Sequence, residues 1–84
     1  MQIKKNIAIS ETGFVFDPST GDSYTLNPVG LEILGLIREG KSREEIAERI
    51  TGKYDVEASA FERYLYDFTA MLKQHQILEG HDAD

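Results

Sequence analysis

The stretch from Asp17 to Leu34, DPSTGDSYTLNPVGLEIL, leaves this chain little conformational freedom. Pro18 suits the second position of a type I turn, and Gly21 can take the left-handed conformation that closes a bulged hairpin. Ser23-Tyr24-Thr25-Leu26 then alternates polar and bulky side chains, the pattern of a half-buried strand. Asn27-Pro28 follows without a spacer. Asparagine is a preferred N-cap, and proline is favoured at the first helical position, where no amide donor is needed. A hairpin, a strand and a capped helix start lie end to end, which predicts a small β-then-α domain.

The flanking segments extend that pattern. Ile3, Ile7 and Ile9 share one parity, with Lys5 the exception, and predict a first strand near residues 3–10. Glu11-Thr12-Gly13 reads as a tight turn, Phe14-Val15-Phe16 as a second strand and residues 22–26 as the third. Short strands with short connections predict an antiparallel meander. The first helix is expected over Pro28 to Glu39, with Val29, Ile33, Leu36 and Ile37 as its apolar stripe, widened by Leu31 and Leu34. Gly30 and Gly35 each cost about 1 kcal/mol relative to alanine there, which makes sense if another element approaches the backbone closely. Gly40 should end this helix as a left-handed cap.

Ser42 and Glu45 have the spacing of a capping box and open a second helix that buries Ile46, Ala47 and Ile50. Thr51-Gly52-Lys53 is expected to stop it. Asp55 is the expected cap of a third helix running from Val56 to Gln76. Its Phe61, Leu65, Phe68 and Leu72 fall within roughly 60° of one another at 100° per residue and face the core. Ala60, Tyr64 and Met71 extend that stripe on one flank, and Ala58 and Thr69 lie on the other. Ile77-Leu78 should fold back on the core, leaving residues 79–84 as a flexible polar tail.

A chain of 84 residues makes one small domain. With no cysteine, neither disulfides nor thiolate chemistry can contribute. There is no signal-peptide apolar run and no stretch of about 18 apolar residues, so the expectation is a soluble, cytoplasmic protein. Fifteen acidic residues against 9 basic ones give a net charge of −6. Lys4-Lys5 is the one basic pair; Arg38, Lys41, Arg43, Arg49, Lys53, Arg63 and Lys73 are scattered near acidic neighbours. Such a field should repel nucleic acids and anionic membranes.

Catalytic patterns are missing from the sequence. His75 and His81 fit neither helical metal-pair nor zinc-finger spacing and read as solvated. Serines 10, 19, 23, 42 and 59 fall at turns, caps or strand faces, outside any Gly-x-Ser-x-Gly context. Gly30 and Gly35 lie within a helix and lack the Lys-Ser/Thr of a phosphate loop. Glu44, Glu45 and Glu48, beside Arg43 and Arg49, read as a solvated face. The sequence therefore predicts a protein that is not an enzyme, with no cofactor and no metal.

Two features call for a use. The third strand carries neither lysine nor proline to discourage pairing, whereas the first carries Lys4-Lys5. It is either an ordinary edge covered by a helix or an open edge. Tyr64 and Met71, beside the buried stripe of the third helix, are either core rim or one wall of a groove. An extended peptide that pairs with a strand edge and lays side chains on a helix is a known recognition mode. Tyrosine and methionine suit an adaptable, partly wet surface of that kind.

Taken in order, DPSTGDSYTLNPVG at 17–30, EGKSREEI at 39–46 and Tyr54-Asp55-Val56 resemble the PqqD family, small leader-peptide chaperones also called RiPP recognition elements. The resemblance implies an α+β, winged-helix-like domain over residues 1–78, a three-stranded antiparallel β-meander followed by three α-helices. It also implies a non-catalytic chaperone that binds the leader of a ribosomally made precursor peptide. The peptide would be presented to a modifying enzyme, often a radical SAM protein. The leader would add to the third strand at Ser23, Tyr24, Thr25 and Leu26. The cleft wall would be Phe61, Tyr64, Leu65, Phe68 and Met71, with Leu65 and Phe68 open to a core role instead. An open edge fits a monomer or an edge-paired dimer. Two other readings stand beside this one. In a winged-helix DNA-binding regulator the third helix would read the groove, but it carries Glu57, Glu62 and Asp67 against Arg63 and Lys73. A permanent structural subunit of an enzyme complex could dock through the same edge.

Overall fold

A computed structural model of the chain describes residues 1–79. The elements are β1 (Gln2–Ile3), β2 (Ala8–Ile9), β3 (Phe14–Asp17), β4 (Asp22–Thr25), α1 (Pro28–Arg38), α2 (Arg43–Lys53), α3 (Ala58–Gln74) and β5 (Leu78–Glu79). β2, β3 and β4 form a three-stranded antiparallel sheet in that order, and β1 pairs with β5 in a separate two-stranded ribbon. The three helices follow the sheet, as expected for an α+β, winged-helix-like domain.

The expected first strand is divided. The Ile7 amide donates to the Lys4 carbonyl at 3.2 Å and turns the chain between β1 and β2. Ile3 then pairs with Leu78, while Ile9 pairs with Val15. A common parity of isoleucines cannot reveal that two halves of one apolar run have different partners. Glu79, assigned to the tail by sequence, pairs with Gln2. Residues 80–84 of that expected tail lie outside the described residues.

Local chemistry builds the β3–β4 hairpin. The buried Asp17 accepts the Ser19 amide on Oδ1 at 2.9 Å, and its carbonyl accepts the Gly21 amide at 2.8 Å. Before β3, Gly13 sits at φ +93°, and a Cβ there would lie 2.5 Å from the Leu26 carbonyl oxygen. Only glycine fits that position.

Asn27 caps α1, its Oδ1 accepting the Gly30 amide at 2.7 Å, with Pro28 in the first turn. Gly30 serves the close approach expected of it: a Cβ would stand 3.2 Å from the Phe68 ring. Gly35 does not, because a Cβ there would meet nothing within 4 Å. The reciprocal capping box of Ser42 and Glu45 opens α2. That helix continues through Thr51 and Gly52, with the Thr51 hydroxyl donating to the Ala47 carbonyl at 2.7 Å and the Tyr54 amide to Ile50 at 2.8 Å. The expected stop is overridden because these bonds keep the last turn satisfied. α3 starts later than expected, with Glu57 rather than Asp55 at the N-cap and no side-chain cap. Tyr54 and Val56 explain the delay, since both pack against the core and hold the connection extended. The core itself gathers Val15, Ile33, Leu34, Ile46, Ile50, Leu72 and Ile77.

α1 and α3 end in the same way. Gly40 donates to Ile37 at 2.9 Å and Lys41 to Leu36 at 3.1 Å, while Gln76 donates to Lys73 at 3.0 Å and Ile77 to Leu72 at 2.8 Å. Both pairs form a Schellman motif. The left-handed position is Gly40 at φ 86° in one and Gln76 at φ 60° in the other. The second turn sends Ile77 and Leu78 back onto the core, as expected.

Candidate functional site

Among the described residues β4 pairs with β3 alone, and no strand lies on its other edge. The register pairs Val15 with Tyr24 and Phe14 with Thr25, and the Leu26 amide donates to the Gly13 carbonyl at 2.8 Å. Bonded and non-bonded pairs alternate along an antiparallel ladder. Leu26 and Tyr24 therefore turn their backbone groups toward β3, and Ser23 and Thr25 turn theirs outward. Side chains alternate on the perpendicular axis. Tyr24 lies half-buried on the face of buried Val15, and Ser23 and Thr25 are exposed beside Phe14 and Phe16.

α3 supplies the second boundary. At 100° per residue, Tyr64, Met71 and His75 share one flank within roughly 40°. Tyr64 is 37 % exposed and stacks on Phe68 with centroids 6.0 Å apart at 11° between planes. Met71 is half-buried against the core. At the helix end His75 reaches β4: the Tyr24 hydroxyl and His75 Nδ1 share a hydrogen bond of 3.2 Å. This contact joins the end of α3 to β4.

A nearly apolar concavity of about 300 Å³ lies where the chain leaves β4 and α3 begins. Asn27, Val29, Tyr54, Val56, Phe61 and Tyr64 are among its walls. The Tyr54 hydroxyl donates to Glu32 at 2.9 Å, and Lys53 Nζ pairs with the same carboxylate at 3.2 Å, which holds the Tyr54 ring in place. That bond to Glu32, then burial and the Glu32 charge, push the Tyr54 phenol above its ordinary value. Burial, then the charges of Asp22 and Asp17, push the Tyr24 phenol the same way.

The residues singled out from sequence fall into separate places. Tyr24, Leu26 and Met71 are half-buried against the core, Ser23 and Thr25 are exposed on β4, and Tyr64 is exposed on α3. Phe68 is 8 % exposed beneath Tyr64, and Phe61 is 2 % exposed at the back of the concavity. Leu65 is core and borders the other flank, where α2 and α3 enclose a larger hollow of about 650 Å³ with Ala47, Ala58 and Tyr66. Sequence reasoning missed Asn27, Val29, Tyr54 and Val56 as walls of the concavity and His75 as the partner of Tyr24. The half-buried pair around Asp55 was a signal for two of them, but it was read as a capping segment. Among the described residues no cluster of histidine and carboxylate side chains could hold a metal, and no helix is long and apolar enough to cross a membrane.

Two solved structures share this fold. The chain superposes on a solved structure described as "TbiB1 in Complex with the TbiA(beta) Leader Peptide" with a TM-score of 0.91 and 32 % identity, covering 98 % of this chain and 99 % of that one. "Lasso peptide synthetase B1 complexed with the leader peptide" matches with a TM-score of 0.85 over 93 % and 95 % of the two chains; at 22 % identity it shows a shared fold. No curated protein matches the chain. Residues 13–78 match the family model described as Coenzyme PQQ synthesis protein D (PqqD). This chain belongs to the PqqD family.

Proposed function

We propose that this protein is a non-catalytic chaperone that binds the leader of a ribosomally synthesised precursor peptide and presents it to a modifying enzyme. The observation that carries the reading is the edge of β4 with no partner strand among the described residues, joined to the end of α3 by the Tyr24–His75 contact. Outward backbone groups at Ser23 and Thr25 can bond an added strand, which supplies affinity without reading sequence. The tyrosine and methionine wall and the apolar concavity can read its side chains. Likeness to TbiB1, solved with a leader peptide, supports the ligand class at 32 % identity. The partner would be a peptide-modifying enzyme such as a radical SAM protein.

An amide NMR titration tests this, with labelled protein and the leader half of a precursor peptide encoded beside its gene. Shifts should concentrate at residues 23–26 and along 61–71. A folded protein whose spectrum stays unchanged at millimolar peptide would sink the reading.

A further inference from the structure

The β1–β5 ribbon and the last turn of α1 enclose a second surface, a concavity of about 600 Å³. Lys4, Lys5 and Arg38 line it together with Ile3, Ile37 and one carboxylate, Glu79. In a chain of net charge −6, Lys4, Lys5 and Arg38 face one carboxylate side chain there among the described residues. None of the three is in an ion pair among the described residues, whereas Lys53 is held by Glu32. A like-signed cluster in a concave wall focuses potential and reverses the sign of the surrounding field. Buried Ile37 and half-buried Ile3 add an apolar floor. Among the described residues, this surface and the concavity beside Tyr54 share no lining residue.

We propose that this surface docks an acidic segment of the partner enzyme, one carrying two or more carboxylates beside an apolar side chain. Charge complementarity selects the segment, and the isoleucine floor anchors it. The inference rests on the chaperone reading and deepens it, because separate surfaces let leader and enzyme be held at once. A polyanion such as nucleic acid is the weaker match, since the rest of the chain would repel a long phosphate backbone.

The test uses the full chain and the purified peptide-modifying enzyme encoded beside its gene, by calorimetry at low and high salt, with and without leader peptide. Lys4→Glu with Lys5→Glu, and separately Arg38→Glu, should weaken enzyme binding at least about tenfold and flatten its salt dependence. Leader affinity should stay within about twofold, as sites without shared partners behave independently. Arg49→Glu, a charge change equal to that of Arg38→Glu but on the exposed face of α2, should leave enzyme binding unchanged. Lys4→Gln with Lys5→Gln provides a milder pair if the double reversal disturbs the ribbon.

Equal enzyme binding by wild type and both reversals overturns the proposal, as does equal weakening by Arg49→Glu or no enzyme binding at all. Reversal that instead dissolves a dimer in sedimentation, or abolishes salt-sensitive duplex binding, overturns it in favour of a second copy or a nucleic acid. Loss of leader binding by wild type would strike the chaperone reading and leave the enzyme arm readable.

Discussion

Tyr24 of β4 and His75 at the end of α3 meet 51 residues apart in sequence, with the tyrosine hydroxyl 3.2 Å from Nδ1. Their ring centroids are 4.7 Å apart at 50° between planes. His75 is exposed, as a solvated histidine should be, yet its ring covers one side of Tyr24. This contact ties β4 to the end of α3. Tyr64, nearer the start of the same helix flank, lines the apolar concavity.

Backbone direction on β4 separates recognition from folding. Thr25→Pro removes an outward donor at a position where an edge strand tolerates proline. Leader affinity should fall at least about tenfold while circular dichroism and the urea midpoint change little. Tyr24→Pro removes an inward donor and should destabilise the sheet itself by about 3 kcal/mol. If both variants lost stability equally, the assigned bonding alternation would be wrong.

The two glycines of α1 should respond oppositely to alanine. At Gly30 a Cβ would lie 3.1 Å from the capping Asn27 Oδ1 and 3.2 Å from the Phe68 ring. Neither neighbour yields easily: the oxygen holds a 2.7 Å hydrogen bond and the ring is stacked under Tyr64. Gly30→Ala should destabilise by about 1 kcal/mol despite its better helix propensity. Gly35→Ala meets nothing within 4 Å and should stabilise by about 0.5–1 kcal/mol. Chemical denaturation of the two variants distinguishes the signs.

Gln76 occupies at φ 60° the position that Gly40 occupies in the matching motif of α1. A side chain in the left-handed region costs about 1 kcal/mol. Gln76→Gly should raise the unfolding free energy by about that amount. Gly40→Ala should lower it similarly. A destabilised Gln76→Gly protein would mean that the glutamine side chain contributes more than its backbone strain removes.

Two groups set opposite pH limits on stability. The Ser42 amide bonded to Glu45 is the main cause holding that carboxyl below its ordinary value of 4.5. Its contribution is therefore present above pH 4.5 and is lost as pH falls through the lowered folded value. Tyr54 has the reverse sign: its phenol is raised above 10.0, so its contribution is complete below that pH and fades as pH rises through the folded value. Glu45→Gln should blunt the acid-side loss and Tyr54→Phe the alkaline-side loss, each read from urea midpoints across pH. Unaltered profiles would remove these groups as the source.

Much of the fold was legible because its signals are local. The Asn27-Pro28 cap, the Ser42–Glu45 box, the glycine turns and the α3 stripe each depend on residues a few positions apart, where dihedral preference and hydrogen bonding act before tertiary contact. Period places Tyr64 and Met71 beside the buried stripe of α3, and meander order with the absence of lysine and proline marks Ser23 to Leu26 as a candidate edge. Tertiary structure decided what depends on distant partners. Ile3 left the meander for Leu78, Phe68 gave Gly30 its purpose and none to Gly35, and Leu65 turned from the groove toward α2. Tyr54 and Val56 became walls of a concavity, and His75 found Tyr24. Periodicity states that a side chain is buried or exposed; which neighbour it meets is set by how the helices and sheet pack, and no local rule contains that choice.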